Sequence, residues 1–257
     1  MINIFQESYS LHSVRREKWW KLKLNRPFAK NQPFVIHAGE GTDTHSFEEI
    51  NELIKWNLFK RKLVAVHGVA MSVKQAGAFE ALVWCPASNF FLLNTTARIE
   101  ELKKQTGILF GTDSTLTASW NIWDHLRQAR HTGLVTDTEL FDMLTINPAK
   151  TWDMNGTGGL AEGHLADIVV ARPGKDQEKW DQFYNLNPEN LLLVVHQGNI
   201  RLFDAALMDP IKNNIQMQDF SKMYIKKIGK YVQGDLPKLM LEIRKYKPDI
   251  SFPVDFS

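Results

Sequence analysis

The sequence lacks the features that mark secreted, membrane and nucleic-acid-binding proteins. Its 257 residues include one cysteine, Cys85, so no internal disulfide can form, as is usual in a reducing compartment. No hydrophobic run approaches the length of a membrane span, and the N-terminus has no secretory-signal pattern. The formal net charge of +2 favours no polyanionic partner. We therefore expect a cytoplasmic protein with no nucleic acid or membrane partner.

Four apolar runs in the first half of the chain each end in side chains suited to metal or acid–base chemistry. They are rich in Val, Ile, Leu and Phe without polar alternation, which is typical of strands covered on both faces. Helix-like stretches separate them, so we predict an α/β fold with parallel strands and chemistry at their carboxyl ends. The runs are PFVIHAGE (33–40), KLVAVHG (62–68), ALVWCPASN (81–89) and GILFGTDS (107–114).

Helix signals occupy the intervals between these runs. Capping-box patterns at Ser46–Glu49 and Thr136–Glu139 each predict a helix start, and Ala97–Thr106 predicts a helix that ends at Gly107. Further helices are expected at 10–24, 73–79 and 121–131.

The pattern changes after Trp152. A β run at Ala166–Ala171 and a hairpin at Leu191–Phe203, with its turn near Gly198, predict a small antiparallel unit. The segment 219–245 is predicted to be helical, with an interruption near Gly234 and Pro237. We expect three regions: 1–152, 153–210 and 211–257.

The first two strand ends supply His37, Glu40 and His67. Imidazole is the commonest protein ligand for zinc, and a nearby carboxylate can move protons. Each residue alone has another interpretation. His37 and Glu40 would suit a solvated surface, and His67 would suit a buried histidine bonded to the backbone.

The third and fourth strand ends add Ser88, Asn89 and Asp113. A carboxylate such as Asp113 is costly to bury at a strand end unless it binds metal or accepts hydrogen bonds. Ser88 and Asn89 would either orient a substrate or brace a loop. Cys85, in an apolar context, is expected to be a core residue. Nearby aromatic residues either line a pocket for a flat heterocycle or belong to the core: Trp84, Phe90, Phe91, Trp120 and Trp123.

The order His-x-x-Glu, His, Pro-x-Ser-Asn, Gly-Thr-Asp-Ser resembles the amidohydrolase superfamily. The similarity is greatest to its branch with guanine deaminase, S-adenosylhomocysteine deaminase and the aminotriazine hydrolases. LTINPAKTW (144–152) and GGLAEGHLADIVV (158–170) are similar to that family's passage from the last barrel helix into a β-sandwich. The resemblance covers residues 33–203. It implies a (β/α)₈ barrel with one divalent metal ion, zinc or alternatively iron.

The resemblance also implies residue roles. His37 and Asp113 would bind the metal, and Asp113 would take a proton from the water that the metal activates. Glu40 would shuttle protons to the leaving group, and His67 would stabilise the attacking water or the developing oxyanion. The candidates for binding the small-molecule substrate, a nitrogen heterocycle or an amide, are Ser88, Asn89 and Ser114.

Two features depart from the family pattern. Its first metal-binding motif is His-x-His, and this sequence contains no His-x-His. A (β/α)₈ barrel takes about 250 residues, whereas only four strands are predicted before Trp152. We therefore expect strands five to eight of a barrel, then part of a small β-sandwich and a C-terminal helix. The first half would come from another chain or be lost from the gene model.

Two functions remain open at this stage. The first is a metal-dependent hydrolase of C–N bonds; the second is a truncated, catalytically silent relative that serves as an interaction module or is a degenerate fragment. A weaker alternative is an unrelated α/β domain. Because the ligand set is incomplete, we expect the isolated chain to bind zinc weakly or not at all. Exposed edges of a half-barrel predict a homo-oligomer.

Overall fold

A computed structural model describes residues 8–9, 14, 18–27, 32–174 and 178–256. The chain divides into two compact units, Met1–Gly159 and Leu160–Ser257. No helix in the described part of the chain is long and apolar enough to cross a bilayer.

The first unit contains a five-stranded parallel sheet in the order β1-β2-β3-β4-β5, with every pair of neighbours adjacent in sequence. Helices connect successive strands, as parallel pairing requires. The strands are β1 Ser8–Tyr9, β2 Phe34–Ala38, β3 Leu63–His67, β4 Ala81–Trp84 and β5 Gly107–Phe110. The helices are α1 Trp20–Leu24, α2 Thr44–Trp56, α3 Val73–Ala76, α4 Pro86–Leu93, α5 Ile99–Leu102, α6 Ile122–His131, α7 Asp137–Asp142 and α8 Ile146–Thr151.

The four apolar runs form β2 to β5, and their burial follows from their composition. Val64 and Ala65 of β3 point to opposite faces of the sheet, and both are fully buried. Leu82 of β4 and Leu109 of β5 are likewise in the core. The sheet is covered on both faces here, so continuous hydrophobic runs are required rather than alternation.

Three local predictions in this unit need correction. The two-residue strand β1 pairs with β2 and was missed, because it carries no apolar run. Helix α2 begins at Thr44 rather than Ser46, with Asp43 as its N-cap, since the Asp43 carboxylate accepts a hydrogen bond from the Ser46 N–H at 2.8 Å. Of the helix predicted at 10–24, Trp20–Leu24 is helical, and residues 10–13 and 15–17 lie outside the described residues. The capping box at Thr136 is confirmed.

The second unit contains a five-stranded antiparallel sheet in the order β6-β7-β8-β10-β9. The predicted hairpin is confirmed, with Gln197 and Gly198 at φ of +50° and +77° in its turn. The strands are β6 Ile168–Ala171, β7 Leu191–His196, β8 Asn199–Asp204, β9 Phe220–Ile225 and β10 Ile228–Gln233. The helices are α9 Lys179–Tyr184, α10 Met208–Ile211 and α11 Leu236–Tyr246.

The prediction of a helix over 219–245 is wrong for residues 220–233, whereas Leu236–Tyr246 is helical. Residues 220–233 form the hairpin of β9 and β10, whose turn places Lys226 and Lys227 at φ of +47° and +71°. Lysine is a good helix former and a poor turn residue, so the sequence pointed to a helix. The sheet contains strands on both sides of residue 210, where a boundary was expected.

A buried ion pair, which we call the Lys230 pair, lies inside the second sheet. Lys230 on β10 is directly opposite Asp204 on β8, and both side chains are buried. The Lys230 ammonium donates to the Asp204 carboxylate at 3.1 Å and to the Leu191 carbonyl at 2.6 Å. The Asp204 carboxylate also accepts the Ala206 N–H at 3.0 Å. The charges are therefore hydrogen-bonded on several sides, as buried charges must be.

Candidate metal centre

Four predicted residues form a group at the carboxyl ends of β2, β3 and β5, which we call the His37 cluster: His37, Glu40, His67 and Asp113. Ala38 lies opposite His67 in the parallel register, so the two strands end side by side. One ligand atom each from His37, His67 and Asp113 lies within 4.8 Å of the others. Residues 76 positions apart in sequence thus face one small volume.

The two histidines contact each other directly. Their ring centroids are 5.2 Å apart with an interplanar angle of 29°, so the rings are stacked. His67 is 1% exposed, whereas His37 is partly exposed. The two imidazole rings thus lie together at the carboxyl ends of β2 and β3, and His67 is the more buried of the two.

Glu40 reaches the cluster because of the tight turn at Gly39. Gly39 has a φ of +65°, and a Cβ at this position would lie 2.6 Å from the Ile50 Cδ1. Glycine adopts this backbone readily, whereas any other residue would be strained and would have to displace the Ile50 side chain. The turn brings the buried Glu40 carboxylate to 3.6 Å from the His67 Nε2.

Two cluster residues have left-handed backbone conformations that L-residues adopt at a cost. His67 has a φ of +74° and Asp113 a φ of +57°. Such conformations cost of order 1–3 kcal/mol each and concentrate at functional sites. The backbone therefore turns sharply at His67, the last residue of β3, and at Asp113, three residues after the end of β5.

Helix α4 holds two cluster residues through side-chain hydrogen bonds. The Ser88 hydroxyl donates a short hydrogen bond to the Asp113 carboxylate, and the Asn89 amide N–H donates to the His67 Nδ1 at 2.9 Å. Ser88 and Asn89 are fully buried. Their role in substrate binding stays a prediction, and the contacts described here brace the site.

The third candidate for substrate binding, Ser114, lies in the exposed loop after Asp113. Its hydroxyl oxygen accepts the Leu116 N–H at 3.1 Å. This contact stabilises the turn of the loop. Substrate binding by Ser114 likewise stays a prediction.

Thr96 contacts the site, although no sequence pattern singles it out. Its hydroxyl accepts the Trp84 indole N–H at 2.7 Å and donates to the Asn89 side-chain oxygen at 3.4 Å. A threonine in a connecting loop carries no sequence signal of its own. Its contacts depend on how α4 packs over β4, which only the three-dimensional structure reveals.

Cys85 lies beside the cluster and is 2% exposed, as expected of a core residue. Burial raises the pKa of its thiol well above the ordinary range, and the negative charges of Asp113 and Glu40 raise it further. The thiol is therefore protonated at neutral pH. A buried, protonated thiol is a poor nucleophile, which agrees with a structural role for Cys85.

The aromatic candidates do not form a single pocket. Trp84 belongs to the core, Trp120 is exposed and Trp123 is half-buried. Phe90 and Phe91 line a surface cavity of about 390 Å³ that also includes Ser119 and His125. No residue of the His37 cluster lines that cavity. His125 is buried and its Nε2 bonds the Ser119 carbonyl at 2.5 Å. The aromatic cavity and the polar cluster are thus separate features.

The donor set of the cluster suits a divalent transition metal. Zinc binds imidazole nitrogen at about 2.0–2.1 Å and carboxylate oxygen at about 2.0–2.2 Å, so ligand atoms on one ion lie roughly 3–4 Å apart. The ligand atoms of His37, His67 and Asp113 lie within 4.8 Å of one another. Small side-chain movements would bring them to the spacing that one ion requires. Two imidazoles and a carboxylate also match the ligand preferences of zinc and iron.

Comparisons with known proteins show which family the chain belongs to. A sequence profile of the amidohydrolase family matches residues 28–201, more than half of the chain. The chain is also similar to 5-methylthioadenosine/S-adenosylhomocysteine deaminase of Caldicellulosiruptor saccharolyticus. That protein is 25% identical over 236 residues, which cover 80% of this chain and 54% of the deaminase.

Solved structures show the same fold. Atrazine chlorohydrolase from Arthrobacter aurescens TC1, complexed with zinc, gives a TM-score of 0.53 at 19% identity, covering 65% of this chain and 43% of that one. An amidohydrolase from Thermotoga maritima MSB8 gives a TM-score of 0.51 at 20% identity, covering 70% and 45%. The chain spans about half the length of the relatives it matches. The chain belongs to the amidohydrolase family.

Proposed function

We propose that this chain carries one half of the catalytic centre of a metal-dependent hydrolase that cleaves C–N bonds in small molecules. The observation that supports it most is the convergence of His37, His67 and Asp113 within 4.8 Å. Glu40 adds a buried carboxylate to the same group. Together these side chains offer metal ligands, a proton carrier and a hydrogen-bond donor.

The sheet order supports a sector of a (β/α)₈ barrel. Doubly wound sheets reverse their strand order at a switch point, which is where their ligands bind. The order β1 to β5 has no such reversal. On this proposal β2 to β5 correspond to strands five to eight, and β1 belongs to the strand before them.

His37 and Asp113 would hold the divalent ion, with zinc the first choice because the chlorohydrolase structure is a zinc complex. The ion would supply Lewis acidity, which makes water a nucleophile at neutral pH. The protein's own part is to hold its ligands in place. The hydrogen bond from Ser88 fixes the orientation of the Asp113 carboxylate.

Protons would pass through the carboxylates. Asp113 would accept a proton from the attacking water, and Glu40 would deliver one to the departing nitrogen. The His67 Nε2, which lies 3.6 Å from Glu40, would donate a hydrogen bond to the oxygen on which negative charge develops.

The substrate class follows from the relatives. Their names refer to methylthioadenosine, S-adenosylhomocysteine and atrazine, all of which contain a nitrogen heterocycle. We propose a heterocycle of this kind, or an amide, as the substrate of this chain.

Zinc titration of the purified, metal-free chain tests the proposal. We expect weak binding of one zinc ion, because two or three side chains form an incomplete ligand set. His37→Ala and Asp113→Ala should each weaken this binding at least about tenfold, since each removes a ligand. His131→Ala is the matched control, because His131 is exposed at the end of α6. Equal zinc affinity in all four proteins would contradict the metal site.

The alternative is a truncated, catalytically silent relative. Ammonia release from a panel of amino-substituted heterocycles separates the two functions. Release that His37→Ala and Asp113→Ala abolish supports the hydrolase. Zinc binding without release from any substrate supports the silent relative.

Association between chains is a further part of the proposal. The outer strands β1 and β5 each have one side without a strand partner in the described sheet. Such edges promote pairing with other chains. Light scattering should find a homo-oligomer, and a stable monomer at micromolar concentration would contradict this expectation.

A further inference from the structure

The ring nitrogens of His67 have different surroundings, and this difference bears on what His67 does. Its Nε2 faces the Glu40 carboxylate at 3.6 Å, and its Nδ1 faces the Asn89 side-chain amide at 2.9 Å. A neutral imidazole carries one proton on one of these nitrogens. With the proton on Nε2, His67 presents a donor to the cluster. With the proton on Nδ1, it presents a lone pair that can bind metal.

A chain of hydrogen bonds decides between these forms. The Trp84 indole N–H can only donate, so at 2.7 Å the Thr96 hydroxyl oxygen accepts from it. The hydroxyl hydrogen of Thr96 then needs an acceptor, and the Asn89 Oδ1 is 3.4 Å away. With its oxygen towards Thr96, Asn89 turns its NH₂ towards His67. The His67 Nδ1 must therefore accept, and the proton of the neutral ring lies on Nε2.

We propose that Asn89 is a positioning residue that fixes His67 as the Nε2–H tautomer, so that His67 acts on the cluster as a hydrogen-bond donor and not as a metal ligand. This inference deepens the proposed function and rests on it for its meaning. The ligands among the three clustered residues are then His37 and Asp113.

Burial makes the chain of bonds restrictive. Asn89 and Trp84 are fully buried, and His67 is 1% exposed. Thr96 is partly exposed, but water has little access to the contact between Asn89 and His67, where a buried polar atom without a partner is costly. Turning the Asn89 amide around would place two acceptors, its oxygen and the His67 Nδ1, against each other. The alternative tautomer therefore requires several groups to change together.

Nitrogen-15 NMR of histidine-labelled, metal-free protein measures the tautomer directly. The sequence has eight histidines, and the His67→Asn variant identifies the His67 signals by their loss. At about pH 8.5, where a histidine of ordinary pKa is neutral, we expect an unprotonated Nδ1 and a protonated Nε2. A protonated Nδ1, or a mixture of tautomers, in the wild-type protein would overturn the proposal.

Two substitutions test the role of Asn89. In Asn89→Asp an acceptor replaces the donor at the same position, so the His67 Nδ1 should become protonated. An Nδ1 that stays unprotonated would show that residue 89 does not control the ring. Thr96→Val removes the hydroxyl that orients Asn89 and should yield a mixture of tautomers, whereas Thr96→Ser should keep the wild-type signals. If Thr96→Val and Thr96→Ser give the same pure tautomer, the chain of bonds is not the cause.

The outcome is independent of the hydrolase proposal, because neither zinc nor a substrate is present. A confirmed tautomer with no zinc binding would leave the positioning role standing and remove the metal site. Zinc binding with the opposite tautomer would do the reverse. Circular dichroism of each variant shows whether it is folded, and the wild-type measurement needs no variant.

Discussion

The His37 cluster and the Lys230 pair are two groups of polar side chains with opposite characters, the first partly exposed and the second buried. In the second unit, Lys230 and Asp204 meet across neighbouring strands, and each bonds the backbone as well as its partner. In the first unit, His67 and Asp113 have left-handed backbones, and the cluster extends from a buried histidine to an exposed carboxylate. The polar groups of the Lys230 pair use their hydrogen-bonding capacity on each other and on the backbone, which suits a structural role. The side chains of the His37 cluster converge on a shared, accessible volume, which suits the binding of a ligand.

The largest expected effect comes from breaking the Lys230 pair. Lys230→Met leaves the Asp204 carboxylate buried without its ammonium partner, which should lower the free energy of unfolding by about 3–5 kcal/mol. Chemical denaturation measures this loss. The control is Lys226→Met, which removes an exposed lysine paired with Glu189 and should cost less than about 1 kcal/mol. Equal losses would show that the pair is not a structural element.

The second prediction concerns the turn at Gly39 that positions Glu40. It separates the cost of a left-handed backbone from the cost of a steric clash. Gly39→Ala requires a left-handed alanine, at about 1–2 kcal/mol, and forces a Cβ against Ile50, at about 1–3 kcal/mol more. Gly133 has a similar φ of +68°, and a Cβ there would meet nothing within 4 Å. Gly133→Ala should therefore show the strain alone. If both variants lose equal stability in denaturation experiments, crowding by Ile50 is unimportant.

The third prediction concerns the pH dependence that Cys85 contributes. Its thiol pKa is raised in the folded protein, by burial first and then by Asp113 and Glu40. The raised pKa contributes to the free energy of unfolding, and this contribution is complete below the thiol pKa of the unfolded chain, about 8.5. Above that pH it declines by about 1.4 kcal/mol per pH unit. Wild-type stability should thus fall more steeply above pH ~8.5 than that of Cys85→Ala. Parallel curves from pH-dependent denaturation would contradict this.

The smallest effect is expected at a half-buried pair, Lys103 and Glu139, which serves as a reference for the His37 cluster and the Lys230 pair. The hydrogen bond from Lys103 and the Thr136 N–H lower the pKa of Glu139. A lowered pKa stabilises the folded protein at pH values above the pKa of the unfolded state, about 4.3. This stabilisation is lost as the pH falls below that value. Glu139→Gln should cost less than about 1 kcal/mol at pH ~7 and nothing in acid. If Glu139→Gln lowers the stability in acid as well, the loss arises from packing and not from the charge of Glu139.

Local patterns predicted much of the fold. Apolar runs predicted β2 to β5, and Gly198 in a turn predicted the hairpin of β7 and β8, because burial and turn chemistry act over a few residues. The hairpin of β9 and β10 escaped prediction because its turn residues are Lys226 and Lys227. Here strand pairing across the sheet overrides local helix propensity.

The candidate site divides in the same way. His37, His67 and Asp113 were predictable because parallel strands end at one edge of a sheet. Their partners were not, since Asn89 meets His67 across 22 positions of sequence and Thr96 carries no motif. Hydrogen-bond partners of this kind depend on packing, which spacing along the chain does not encode.

The left-handed backbones of His67 and Asp113 have a consequence for how this sequence changes over generations. If folding alone were under selection, glycine at either position would relieve strain, and asparagine would do so in part. Stabilising replacements of this kind are common where function does not oppose them. A lineage under no demand for the cluster's chemistry should therefore drift towards glycine or asparagine at these positions. The residue types at positions 67 and 113 in related sequences thus indicate whether selection for the cluster's chemistry continues.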